Sequence, residues 1–398
     1  MKFVVLIGDG MGDYPRDDLG GRTVLEAANT PNMDWIAANG RGGFAQTIPP
    51  EMHPGSDVAN MEIMGYDTTC GFTGRAVFEA LSMGRHLHDE DVAFRANLVT
   101  LENGYMKDYS AGHITTQEAG ELIKGIDEAL GSDTLRFYPG VSYRHLMIWS
   151  GGNDSMATTP PHDIIGKEYE EHLPKGDGSE FIRSIMENSK PVLEASLINK
   201  KRLATGKLPA NSVWLWGQGK KLSLKTIEEK YGIMGGVISA VDLIKGIGVV
   251  AGLKPEFIPG ATGYIDTNYR GKAEAALKIL ETRDFVYLHV EAPDEAAHNG
   301  DVKMKIKAIE DFDSIVVGII LETLKSRNDM AVLLTCDHRT PVVERTHTRE
   351  PVPFCYYGPG VEKDNMTSYS EKAAESGVVK MIKGHKLLDL FLGDFITL

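Results

Sequence analysis

Three short runs of unbroken apolar residues, far apart in the chain, each run up against an acid: FVVLIGDG near the start, DFVYLHVEAPD, and MAVLLTCDH. Runs of this kind, rich in β-branched residues and lacking alternation, suit strands buried on both faces, as in a parallel sheet covered by helices. Helical segments accompany them. TPNMDWIAANG places Thr30 as N-cap, Pro31 at the first helical position and Gly40 as terminator. GKAEAALKILETRD reads as a helix, and residues 301–327 as a longer one in which Ile306, Ile309, Phe312, Val316, Ile319 and Leu324 recur on one face. Alternating strands and helices imply an α/β fold with a mostly parallel sheet flanked by helices.

At 398 residues the chain is too long for one ordinary core. Between about Asp89 and Tyr231 its grammar changes to shorter strand candidates, VAFRANLVTL, YRHLMIW and SVWLW, separated by polar stretches containing Gly and Pro. This predicts a smaller α/β domain, residues 89–231, inserted into a core made of residues 1–88 and 232–398.

Lys and Arg number 42 against 56 Asp and Glu, a formal net charge of −14, which argues against a broad nucleic-acid or anionic-membrane footprint. A small anionic substrate held by a local cluster of cations stays compatible. Cys70, Cys336 and Cys355 form no CxxC pair, which favours a reducing, cytoplasmic location. The apolar run Phe3 to Ile7 is too short for a signal-peptide core, and no stretch approaches the ~20 apolar residues that span a bilayer. The expectation is a soluble protein without nucleic-acid or membrane partners.

In open parallel sheets, ligands bind beyond the carboxyl ends of the strands. Asp9, Asp294 and the pair Asp337 and His338 all follow such ends. In PDEAAH, Asp294 and His298 stand four residues apart, which on a helix puts both on one face; a lone pair of this kind is more often a solvated surface. His347 returns nine residues after His338. Three aspartates and three histidines are enough for two ions, and they suit Mn or Zn better than Ca. Ser56 follows Pro54 and Gly55 where a helix would begin, a position fit for an N-cap, for an anion site, or for a metal-activated nucleophile.

GDGMGD, TPNMD, PGSDVANMEIMGYD, TGRAVFEA, PDEAAH, CDHRTP and HTREPVPF, in this order, resemble the cofactor-independent phosphoglycerate mutases of archaeal type, within the alkaline phosphatase superfamily. The resemblance implies an alkaline-phosphatase-like core that interconverts 3-phosphoglycerate and 2-phosphoglycerate through a phosphoserine on Ser56. It implies two divalent ions, Mn2+ first with Zn2+, Co2+ or Mg2+ as alternatives, and no 2,3-bisphosphoglycerate. Asp9, Ser56, Asp337 and His338 would hold one ion, and Asp294, His298 and His347 the other.

For the phosphorylated substrate, Arg144 and Lys245 are the first candidates and Arg202 the next. Lys245 is singled out as an isolated charge in the apolar segment AVDLIKGIGVV. His162 and Asp163, in PPHD, fit substrate orientation or proton transfer, with His113 behind them. MKDYSAGHITTQEA resembles a bacterial branch proposed to contain homoserine kinases, so a homoserine kinase-like phosphotransferase using the same serine and metals is the alternative. The spacing GxGxG at Gly8, Gly10 and Gly12 is wrong for a dinucleotide site, and no P-loop signature is present.

Overall fold

The computed structural model describes residues 1–70, 74–85, 87–221 and 224–397. The chain divides into two compact units, Met1–Phe72 with Leu224–Leu398, and Thr73–Ser223. Thr73, which heads the TGRAVFEA motif, lies outside the described residues. No helix among the described residues is long and apolar enough to cross a membrane.

The first unit is built on an eight-stranded sheet in the order Val379–Lys383, Arg41–Gln46, Val352–Tyr357, Met330–Thr335, Lys2–Gly8, Phe285–Val290, Gly235–Ile238 and Lys254–Pro255. Lys2–Gly8 lies at the centre, parallel to Phe285–Val290 on one side and to Met330–Thr335 on the other. Only Val352–Tyr357 runs antiparallel to its neighbours. All residues of Phe285–Val290 and Met330–Thr335 are buried, as their continuous apolar character requires in a sheet covered on both faces.

Two helical expectations need correction. Thr30 makes no side-chain cap to the Pro31–Asn39 helix. Asp313 does that work from another helix: its Oδ1 accepts from Met33 N at 2.7 Å and its Oδ2 from Asn32 N at 3.3 Å. A buried carboxylate at a helix N-terminus satisfies free N–H groups and the dipole together. The predicted helix over 301–327 is also not uniform, because Phe312–Val317 is a π-helical segment between Val302–Asp311 and Gly318–Lys325. The wider turn advances the buried stripe, so Ile320 and Leu321 are buried where Ile319 was expected.

Lys305, on this helix, is wholly buried. Its Nζ donates to Asp13 Oδ2 at 2.9 Å, Gly12 O at 3.0 Å and Thr340 O at 2.9 Å. One ammonium thus ties together the loops that leave the Lys2–Gly8 and Met330–Thr335 strands.

The second unit holds an antiparallel sheet of Asp91–Glu102, Tyr105–Asp108, Leu135–Tyr138, Arg144–Ser150 and Ser212–Lys220. One apolar cluster joins Phe94, Ala96 and Leu98 of the sheet to Leu122 and Ile123 of the Thr116–Leu130 helix and Ile182 and Met186 of the Ser179–Ala195 helix. This unit opens at residue 73 rather than 89, and closes at 223 rather than 231. The earlier opening follows from the Ala76–Ser82 helix, whose Ala76, Val77 and Ala80 pack on Ala93, Leu146 and Ile148.

Asp13→Ala should leave Lys305 charged and buried without its counter-ion and cost about 3–5 kcal/mol of stability. Urea unfolding measures this, and Asp13→Ala combined with Lys305→Met should cost less than the sum of the single changes.

Candidate metal centre

In the central register Ile7 lies opposite Thr335 on one side and His289 on the other, so the three parallel strands end level. Their next residues therefore meet. The Asp9 amide donates to Val290 O at 2.9 Å. Gly10 follows at φ +60° and donates its N–H to Asp337 Oδ1 at 3.0 Å. A Cβ at Gly10 would stand 2.5 Å from Asp294 Oδ1 and 2.6 Å from Thr340 Oγ1, so glycine is needed there for conformation and for close approach.

Ser56 opens the Ser56–Ile63 helix, and Gly55 takes the cap position. With no capping duty, Ser56 Oγ lies 3.0 Å from His338 Nε2. One turn along, Asn60 Nδ2 donates to Ser56 O at 2.8 Å and to Asp337 Oδ2 at 2.9 Å. Asn60 Oδ1 in turn accepts from Tyr287 O–H at 2.6 Å. The serine is thereby pinned to two of the three strands.

Hydrogen bonds orient the imidazoles. Thr340 gives its one hydroxyl proton to Asp294 Oδ1 at 2.5 Å, so His338 Nδ1, 3.1 Å from Thr340 Oγ1, must be the donor of that pair. Its Nε2 is left to face Ser56 and Asp9. His298 Nδ1 is likewise anchored on Arg345 O at 2.9 Å, turning Nε2 toward Asp294 Oδ2 at 3.0 Å and His347 Nε2 at 3.0 Å. Two imidazole nitrogens this close repel unless a proton or a cation lies between them.

The acids carry charge that the chain alone does not balance. Burial, then repulsion from Asp337 and Asp294, pushes the Asp9 carboxyl well above its ordinary range. Burial would also raise Asp337, but His338 and His289 outweigh it and hold that carboxyl low. Burial opposes the ionised form of Asp294 too, and His347 and His298 overcome it. His338 is driven down to about 4 by burial, against the pull of Asp337. Burial works against protonated His298, yet Asp294 raises it to about 9.

These residues fit divalent cations. Asp9 Oδ1 is buried and has no hydrogen-bond partner. Asp294, His298 and His347 present ligand atoms within 4.8 Å of one another, as do Asp9, Asp294 and His338. Neutral imidazoles and carboxylates are the donors that Mn2+ and Zn2+ take. Another group of this kind, Glu62, Asp67 and His385, is a tether instead, since Glu62 Oε1 accepts from Thr68 and Oε2 from His385.

Comparison with known proteins matches residues 37–199 to the family model described as 2,3-bisphosphoglycerate-independent phosphoglycerate mutase. A protein of that name from Methanosarcina acetivorans is 51% identical over 397 residues, 98% of this chain and 100% of its own length. The chain belongs to the 2,3-bisphosphoglycerate-independent phosphoglycerate mutase family. A second member, from Methanothermobacter thermautotrophicus, is 47% identical over 98% of this chain and 97% of its own length. Among solved structures, a Pyrococcus horikoshii protein superposes with a TM-score of 0.84 at 30% identity, covering 99% of this chain and 97% of that one. A cofactor-independent phosphoglycerate mutase from Thermoplasma acidophilum gives a TM-score of 0.69 at 28% identity, covering 99% of both chains.

Within this mutase-family chain the seven expected metal-site residues lie together in the first unit, whereas the expected substrate residues are scattered. Arg144 is exposed beside Tyr143, its guanidinium carbon 5.5 Å from the ring centre. Lys245 is half-buried and already paired with Asp242 at 2.7 Å, which removes the argument from isolation. Arg202 is a correction: it is buried, and each of its guanidinium nitrogens is already engaged within the chain, on Glu118 at 2.8 Å, Leu208 O at 2.9 Å and Ala111 O at 2.6 Å. His162 and Asp163 are exposed and 3.6 Å apart, and His113 is exposed at φ +50°. Sequence reasoning passed over Asn60, Thr340 and His289. Asn60 and Thr340 stood one turn after Ser56 and two residues after His338, and His289 was the lone imidazole in an apolar strand.

A bound ion must displace the proton that Asp294 holds on His298 up to about 9. Below that pH each binding event releases a proton, so Mn2+ affinity should rise by about tenfold per pH unit from pH 7 to 9 and flatten above it. Calorimetric titrations in buffers of different ionisation enthalpy measure both effects. Affinity that is constant over this range would contradict the assignment of His298.

Proposed function

We propose that this protein interconverts 3-phosphoglycerate and 2-phosphoglycerate through a phosphoserine at Ser56. The observation that carries the reading is Ser56 Oγ at a helix N-terminus, 3.0 Å from His338 Nε2 and bordered by the buried acids Asp9 and Asp337. In this reading Asp9, Ser56, Asp337 and His338 hold one divalent ion and Asp294, His298 and His347 the other, with Mn2+ the first choice. When bound, such ions offset negative charge on the transferring phosphoryl group and favour the serine alkoxide.

The chemistry assigned to the chain is a pair of displacements. Ser56 Oγ forms a bond to phosphorus as the bond from phosphorus to O3 of the glycerate breaks, and the proton lost from the serine is made good on O3. The glycerate then presents O2, which takes the phosphoryl group back and yields its own proton, so no water is consumed and none is released. The positive dipole end of the Ser56–Ile63 helix suits the phosphate oxygens. In the second unit, Arg144 is our candidate for substrate charge, and His162 with Asp163 for proton transfer. Lys245 is retained as a weaker candidate. We place the activity in the cytoplasm. The homoserine kinase alternative gains no support, since the full-length relatives reported above are named as mutases.

Mn2+-loaded protein given 3-phosphoglycerate should form 2-phosphoglycerate without added 2,3-bisphosphoglycerate, and quenched turnovers should yield a phosphorylated Ser56 peptide by mass spectrometry. Ser56→Ala should lose more than about a thousandfold in turnover. Homoserine offered with a phosphate donor should not be phosphorylated. An active Ser56→Ala protein would refute the mechanism.

A further inference from the structure

His289 is wholly buried near the end of the Phe285–Val290 strand, and neither ring nitrogen has a hydrogen-bond partner. A buried polar group in this state is costly unless nearby charge compensates it. Three carboxylates surround the ring. Nε2 lies 3.5 Å from Asp9 Oδ2 and 3.6 Å from Asp337 Oδ2, and Nδ1 lies 3.4 Å from Glu291 Oε1.

The rear carboxylate is immobilised. Glu291 Oε2 pairs with Lys272 Nζ at 2.6 Å, and Oε1 accepts from Ser239 Oγ at 2.6 Å and Ala240 N at 2.7 Å. Lys272 also donates to the carbonyl of His289 at 3.1 Å. Lys272, Glu291 and His289 therefore form a fixed column that ends on Asp9 and Asp337. His338 Nε2 lies 3.5 Å from Asp9 Oδ1 and 3.5 Å from the same Asp337 Oδ2 that His289 faces. Asp9 thus turns one oxygen to each imidazole, and Oδ1, which faces His338, is buried without a hydrogen bond.

We propose that His289 is a positioning residue of the metal centre, which braces Asp9 through Oδ2 so that Asp9 Oδ1 is presented to the ion at Asp9, Asp337 and His338. The proposal rests on the reading of Asp9 and Asp337 as ligands. Asp9, His289 and Asp337 also meet the spacing for an ion of their own. A ligand role and a bracing role differ in the number of ions the chain takes up, and the titration below counts them.

The test is Mn2+ titration of the metal-free full-length chain, with free Mn2+ followed by electron paramagnetic resonance. Wild type should bind two ions. His289→Leu should weaken one of them by about 10–100-fold and leave the other unchanged. His289→Gln, whose amide can face the same carboxylates, should recover most of the loss, which a purely packing role would not allow. Circular dichroism establishes that each variant is folded. If His289→Leu does not fold, the comparison passes to Gln against the shorter Asn, and the site should be weaker with Asn.

Unchanged affinity for both ions in folded His289→Leu would overturn the proposal. So would three ions in wild type with one lost on substitution, which would make His289 a ligand. Failure of wild type to bind two ions would overturn the metal reading along with it.

Discussion

The structure depends on a concentration of buried negative charge that its own cations do not cancel. Asp9, Asp294, Asp337 and Glu291 are all nine-tenths buried or more around the ends of three parallel strands. Lys272 neutralises Glu291, and histidines compensate the rest only in part. The raised Asp9 carboxyl is the residue of that imbalance. Burial favours the protonated form of such a carboxyl, and a cation beside it would favour the ionised form instead. Much of the surrounding detail exists to keep these groups close.

That closeness comes from backbone geometry. The central strand is held in register on both sides, so the residues after Gly8, Val290 and Thr335 leave the sheet at one level. Gly10 lets the chain turn tightly against Asp294, and Lys305 fastens the departing loops to one helix. Ser56 arrives from a different element, fixed by Asn60 to Asp337 and Tyr287. A serine presented on a helix N-terminus is oriented by rigid parts, which suits chemistry that depends on positioning.

Much of this was legible in the sequence because it is local. An apolar run that stops on an acid marks the end of a buried strand, and the spacing of Asp294 and His298 marks a shared helix face. What could not be read depends on contacts between distant segments. Asp313 caps a helix that begins at Pro31, a task assigned locally to Thr30. Lys305 lies in a helix where a lysine ordinarily meets water, and its burial follows from acceptors near Gly12, Asp13 and Thr340. Arg202 looked available for substrate until its three acceptors were seen, and His289 drew no notice because the three carboxylates around it come from separate segments. The boundary of the second unit moved because an amphipathic helix shows what it covers only once the sheet beneath it is known.

On the proposed function, seven side chains gathered from distant parts of the chain surround two divalent cations. Diffraction from Mn2+-soaked crystals, recorded at the manganese absorption edge, tests it most directly. Two anomalous peaks are expected, one bound by Asp9, Ser56, Asp337 and His338 and the other by Asp294, His298 and His347. A single peak, or peaks at Glu62, Asp67 and His385 with none at these residues, would contradict it.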